Sequence, residues 1–406
     1  MKQPKILLLI VIALLPLIVV SCIPGTAQPT GGWAGTAFSD GIIYAGTRDG
    51  RVVAINATTE NIEWSYSAAP VTTPSGGLSC GQTSVATTLY STPVVEGDIV
   101  YIGTYSGQVL ALSTLARSQN LTFPQQRYGE WEWICPIDNA RSNAIVADLL
   151  VSTDTIYVSS SNGRVYSLDK EFGDLNWESE VLDKKHRKLW TFPAIQGNRL
   201  YVGTYDGHIY ALSLETGNLL DWSFESEAGF ASSPIVYDDT IFVGSFDRYL
   251  YAVEIGSDVP KWKFPEERPA GSWFWARAVI NASIVYTGCL DGVLYAIEAN
   301  TGEELWQFES QDARGNPAEI VAPPVLNDDL LIVANAAGNV YVINPETGEA
   351  ERIRNLKGDS EPTINAGIKA SFCAEEGFAY IRGEDNGIYV IDIGRGIVSW
   401  ELDLSE

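Results

Sequence analysis

Residues equipped for bond-making chemistry are few in this 406-residue chain. It holds two histidines, His186 and His208, both in loop- or turn-like sequence. Its five cysteines, Cys22, Cys80, Cys135, Cys289 and Cys373, form no CxxC pair and no CxxCH haem motif. There is no HExxH, no phosphate-cradling glycine loop and no Gly-x-Ser-x-Gly elbow. The paired acids Asp238–Asp239 and Asp328–Asp329 read as turn formers. What accumulates instead is 12 Trp and 19 Tyr, side chains that bring a large apolar body and one polar handle. That inventory suits packing and recognition, and the chain reads as a non-enzyme.

The elements that position these rings repeat. "YVGTYDGHIYALSLETGNLLDW" at 201–222 returns as "YTGCLDGVLYAIEANTGEELW" at 286–306 and stands earlier as "YAGTRDGRVVAINATTENIEW" at 44–64. Eight copies begin at Tyr44, Tyr101, Tyr157, Tyr201, Phe242, Tyr286, Ile332 and Tyr380. Twenty residues on, the slot holds Trp64, Leu121, Trp177, Trp262, Trp306, Arg352 and Trp400; the fourth copy slips by one to Trp222. Runs rich in Tyr, Ile, Val and Thr, split by Asp-Gly or Asn-Gly, predict strands joined by two-residue hairpin turns. Arg248 fits the positive-φ slot of its turn poorly, and Asn386 tolerates it. A further short strand precedes each copy, so one unit has four antiparallel strands, a to d. Such a sheet cannot bury both faces alone; eight of them stacked radially can. The expectation is an all-β, eight-bladed β-propeller over residues 33–406. Trp64, Trp177, Trp222, Trp262, Trp306 and Trp400 are expected to dock one blade on the next.

Alternating strands put the d-to-a loops and the b-to-c turns at one end. Trp131, Trp133, Trp190 and Trp273 are placed on or beside d-to-a loops, with Tyr205 and Phe246 on b-to-c tips. Trp190, Trp275, Arg277 and Lys369 lead into innermost strands and are expected to face the central channel. These residues form the candidate partner- or ligand-binding face. "DKKHRK" at 183–188 is the one basic cluster, placed in the loop leading to Trp190. The two longest inter-blade loops, 67–88 and 124–143, carry Cys80 and Cys135, a disulfide candidate in an oxidising compartment. Cys289 and Cys373 belong to non-adjacent blades and are expected to stay unbonded.

The net charge of −25 does not suit a nucleic-acid partner. Residues 1–21 read as a signal peptide, with Lys2 and Lys5 before an apolar run ending in "VVSC". The small Ser21 before Cys22 resembles a lipobox, which implies diacylation of Cys22, and two acyl chains suffice for stable anchoring. Residues 22–32 then form a tether, and the chain is expected to be exported and membrane-anchored, facing the periplasm or cell exterior.

"ALSLETGNLLDW" and "AIEANTGEELW" resemble the pyrroloquinoline-quinone (PQQ) propeller repeat, over roughly residues 33–404. One branch of that family holds quinoprotein dehydrogenases; another holds BamB-type lipoproteins, which implies a non-catalytic scaffold binding envelope proteins through the loop-rich face. We read the chain as the second kind, with no cofactor and no metal. The alternatives are a PQQ-dependent oxidoreductase, with Ca²⁺ in the channel and Trp190 or Trp275 stacked on the cofactor, and a glycan or small-ligand sensor using the aromatic rim.

Overall fold

The computed structural model describes residues 32–67, 71–73, 83–85, 88–114, 134–136, 144–186, 188–230, 232–353 and 362–405. They form eight four-stranded antiparallel sheets, plus a two-stranded hairpin pairing Val71–Thr73 with Thr83–Val85, and no helix. The sheets span residues 36–67, 94–136, 150–178, 194–225, 235–264, 279–309, 325–352 and 373–403, numbered here as blades 1 to 8. The chain is an eight-bladed β-propeller.

Blade 6 shows how the repeat builds it. Strands a (Val279–Asn281), b (Ile284–Gly288), c (Val293–Glu298) and d (Glu304–Glu309) pair in chain order. Strands b and c are buried on both faces, because a neighbouring blade covers each one. Their near-continuous apolar runs follow from that double covering. Strand d lies at the rim of the disc and alternates between exposed and half-buried residues.

The turns depart from the expected hairpins. The two-residue turns with positive φ join a to b, as at Asp238 and Asp239. The b-to-c turns are three-residue loops: Thr47 N–H bonds Arg51 O, Gly50 N–H bonds Thr47 O, and Gly50 has φ +83°. A type I turn closed by one left-handed residue gives this shape. Arg248 occupies that left-handed place in blade 5 with φ +72°, against the expectation, as Asn386 does in blade 8.

Blade 2 also departs from the sequence reading. Its strand d is Ile134–Pro136, paired with Leu110, Val109 and Gln108. Cys135 therefore sits on the outer strand of a blade and not in an inter-blade loop. Trp131 and Trp133 cannot be placed on a loop from this strand. Both tryptophans, with Leu121, Cys80, Cys22 and the whole of residues 1–31, lie outside the described residues. In the fourth copy the c–d register shifts beside Trp222, between Tyr210 and Leu212, which absorbs the one-residue slip.

Each blade must also fit the next at the inner end. The last residue of strand b is glycine in blades 1, 2, 4, 5 and 6. A Cβ on Gly244 would stand 2.6 Å from Phe274 Cβ of the next blade, so glycine is the socket for that plug. The junction of blade 8 with blade 1 reverses the fit. The socket position holds Arg382, 3% exposed, and the plug position holds Gly32. Arg382 Nη1 donates to Gly32 O and Ala34 O at 3.1 Å, and Nη2 to Asn386 Oδ1 at 3.3 Å. Burial lowers its pKa to about 10. First and last blades share no sheet, so such side-chain contacts close the ring; Arg51 Nη2 to Leu404 O adds another.

Candidate functional site

The lead-in to each strand a is an extended run with a period of two. In blade 6, Phe274, Ala276 and Ala278 are buried between blades, while Trp275 and Arg277 face the axis. Blade 4 repeats this with Leu189 and Thr191 buried and Trp190 and Phe192 facing inward. Blade 8 does so with Ile368 and Ala370 against Lys369 and Ser371. The inward residues line a central funnel of about 590 Å³. Trp33, Tyr90, Trp190, Trp275 and Lys369 form its upper tier, four rings and one cation. Two residues further along, Thr92, Asp148, Phe192, Ser233, Arg277, Pro323 and Ser371 form the lower tier.

Charge in the lower tier is sparse and unpaired. Arg277 places its guanidinium carbon 4.6 Å from the Phe192 ring centroid, and its Nε is buried without a hydrogen-bond partner. Burial lowers its pKa, opposed by the charge of Asp148. Asp148 accepts from Thr92 N–H at 2.6 Å; burial raises its pKa against that bond and against Arg277. Each group feels the other's charge, yet the two make no ion pair. Lys369, by contrast, is neutralised by Glu384 at 2.9 Å.

Around the mouth the rings interlock edge to face. Trp190 meets Tyr205 at 5.2 Å, Tyr205 meets Phe246 at 5.2 Å, and Phe246 meets Trp273 at 5.1 Å between centroids. Trp275 joins the same group at 6.2 Å from Phe246. A second group, Trp33, Tyr90 and Tyr105, stands on blades 1 and 2. Trp190 and Trp273 are 37% and 42% exposed, so the first group is an accessible aromatic band over blades 4 to 6. The basic run at 183–188 feeds it. Asp183 caps Lys185 N–H and His186 N–H, His186 packs on Tyr205, and Lys188 Nζ lies 5.1 Å from the Trp190 ring. Lys188 thus covers the rim by cation–π contact.

The structure brings together Trp190, Tyr205, Phe246, Trp273, Trp275, Arg277 and Lys369 at this end. Sequence reasoning missed Asp148, Phe192 and Tyr90. Aligning the eight lead-ins on their alternation carries the signal for all three, and Asp148 is the one acid in its tier. Cys289 and Cys373 are free, and burial pushes both thiols up to about 12. Among the described residues, no three His, Cys, Asp or Glu side chains gather as metal ligands.

At the outer edge the indoles lie between blades. Trp177, Trp222, Trp262 and Trp306 each donate Nε1–H to a carbonyl of the next blade: Leu214, Ser257, Ala299 and Pro345, at 2.8–3.1 Å. Trp64 stands 5.9 Å from Tyr44 of its own blade, and Trp400 packs in the cluster that joins blade 8 to blade 1.

The family model described as outer membrane protein assembly factor BamB matches residues 25–189 and 290–406, more than half of the chain. Outer membrane protein assembly factor BamB of Legionella pneumophila (strain Paris) is 28% identical over 197 residues, 48% of this chain and 44% of that protein. The chain thus aligns with less than half the length of that curated relative. Among solved structures, BamB from Moraxella catarrhalis superposes with a TM-score of 0.62 at 18% identity, over 87% of this chain and 95% of that one. The computationally designed Ika8 protein gives 0.64 at 16% identity, over 90% and 98%. A europium-containing methanol dehydrogenase gives 0.59 at 13%, over 88% and 81%. These three share the fold. The match of the family model settles membership: the chain belongs to the BamB family.

Proposed function

We propose that this member of the BamB family is a lipid-anchored scaffold of the cell envelope, acting in outer membrane protein assembly without catalysis or cofactor. The observation that carries the reading is the exposed aromatic band Trp190–Tyr205–Phe246–Trp273 on the loop-rich end of a rigid disc. Aromatic anchors on a rigid frame give contact area at low entropic cost, which is how interface hot spots are built. Its partner is an envelope protein whose apolar segment covers the band, with Lys188 at the edge engaging an acidic residue. The lipid on Cys22 and the tether 22–32 would hold the disc near a membrane surface.

The quinoprotein alternative finds less support in the funnel. Asp148 is the one carboxylate of its wall, a poor ligand set for Ca²⁺. Three carboxylates of PQQ would meet one unneutralised cation, Arg277.

Site-specific photo-crosslinking tests the scaffold reading. A crosslinker at position 273 or 246 in native membranes should trap a defined envelope protein, and one at exposed Phe172, far from this end, should not. Equal labelling at both positions would remove the band as the docking surface. Cys22→Ser should release the chain from membranes.

A further inference from the structure

The funnel below the rim holds a feature that partner docking at the rim does not use. An arginine and an aspartate stand in one tier, Arg277 on the lead-in to blade 6 and Asp148 on that to blade 3, without pairing. Leaving a buried guanidinium nitrogen without an acceptor costs free energy of order 1–3 kcal/mol. Arg277 Nε is such a nitrogen, and the group lies against the Phe192 face. Asp148 is fixed through Thr92 N–H and, among the described residues, forms no salt bridge. The walls above are Trp33, Tyr90, Trp190 and Trp275, and the other cation of the wall, Lys369, is already neutralised by Glu384.

A ligand that completes this tier must carry an anion for Arg277 and a cationic donor for Asp148. Its body must be apolar, to lie against the indole and phenyl faces. A plain carboxylate leaves Asp148 alone, a plain amine leaves Arg277 alone, and a polyanion is repelled by Asp148. We propose that the central funnel is a binding site for a small zwitterion of the α-amino-acid type with an apolar or aromatic side chain, its carboxylate on Arg277 and its ammonium on Asp148. The volume of about 590 Å³ accommodates a free amino acid or a short peptide. Aromatic faces favour the ammonium in addition to the side chain. The inference does not depend on the scaffold reading, since it concerns the floor and not the rim.

Isothermal titration of the purified full chain with four probes tests it: L-phenylalanine, phenethylamine, 3-phenylpropionate and glycine. L-Phenylalanine should bind saturably at one site, at least tenfold more tightly than any of the other three. Arg277→Gln should abolish the advantage of L-phenylalanine over phenethylamine, and Asp148→Asn its advantage over 3-phenylpropionate. Circular dichroism melts check that the variants fold, and the probe ranking on the unaltered chain decides the matter if they do not. No saturable binding below about 10 mM, at a ceiling of about 3 kcal/mol of affinity, overturns the site. Equal binding of L-phenylalanine and 3-phenylpropionate overturns the zwitterion. Binding of L-phenylalanine that survives Arg277→Gln overturns the role of that residue.

Discussion

The belt of indoles at the outer edge and the wall of the central funnel use equivalent positions of one repeat in opposite ways. In the belt, Trp177, Trp222, Trp262 and Trp306 make the same hydrogen bond to the next blade, and each stands 5.6–5.9 Å from the ring that opens its own repeat. In the funnel, the lower-tier position is Thr92, Asp148, Phe192, Ser233, Arg277, Pro323 and Ser371 in successive blades. A position squeezed between two sheets meets the same neighbours in every blade, so one side chain serves all. A position facing the axis is not squeezed between two sheets, so no one side chain is imposed on it in every blade. Uniformity marks the scaffold, and variation marks the place where binding is read.

Breaking the inter-blade fit should produce the largest effects. Phe274→Ala leaves the Gly244 contact but removes a fully buried ring packed against Phe264 and Tyr295, and should cost about 3–5 kcal/mol, seen as a lower urea midpoint. Arg382→Met removes the donors to Gly32 O and Ala34 O at the one reversed junction, and should cost about 2–4 kcal/mol. Limited proteolysis near residue 32 should accelerate in that variant, because the bonds that remain there are few, among them Thr36 N–H to Ser371 O and Ala34 N–H to Leu89 O. If Arg382→Met is neutral, the ring closes by other contacts.

The belt comes next. Trp306→Ala should cost about 2–3 kcal/mol, while Trp306→Phe should cost about 1 kcal/mol by losing only the bond to Pro345 O. Tyr286 Oη also donates to that carbonyl, which limits the second loss. On the funnel side, Trp273→Ala should shift stability by less than about 1 kcal/mol and reduce crosslinking to the partner at least tenfold. Equal stability losses at Trp306 and Trp273 would erase the contrast between belt and rim.

The smallest effect concerns the thiols. Burial pushes Cys289 and Cys373 up to about 12, above their ordinary range, so unfolded thiols ionise first. Their contribution to stability is complete below about pH 8.5 and fades as the pH rises toward 12. Iodoacetamide at pH 8 should label neither in the native chain and both after denaturation, as mass spectrometry would record.

Sequence by itself determined the count of blades and the strand order within each. Those follow from local chemistry repeated eight times: turn residues at fixed offsets, β-branched runs and a ring at a fixed spacing. It also placed Trp190, Trp275, Arg277 and Lys369 toward the axis, because alternation along an extended lead-in is a local property. It misjudged the b-to-c turns, where Arg248 takes a left-handed conformation that the closed three-residue loop imposes. It misplaced Cys135, because the strand d of blade 2 carries no repeat spacing and is recognised only by its pairing with Val109. Tertiary structure alone decided which residues from different blades meet. Asp148 and Arg277 are 129 positions apart in the chain, and they share a tier only because eight blades close into a ring. The same closure set Arg382 against Gly32, a complementarity between the two ends of the repeat that no single copy contains.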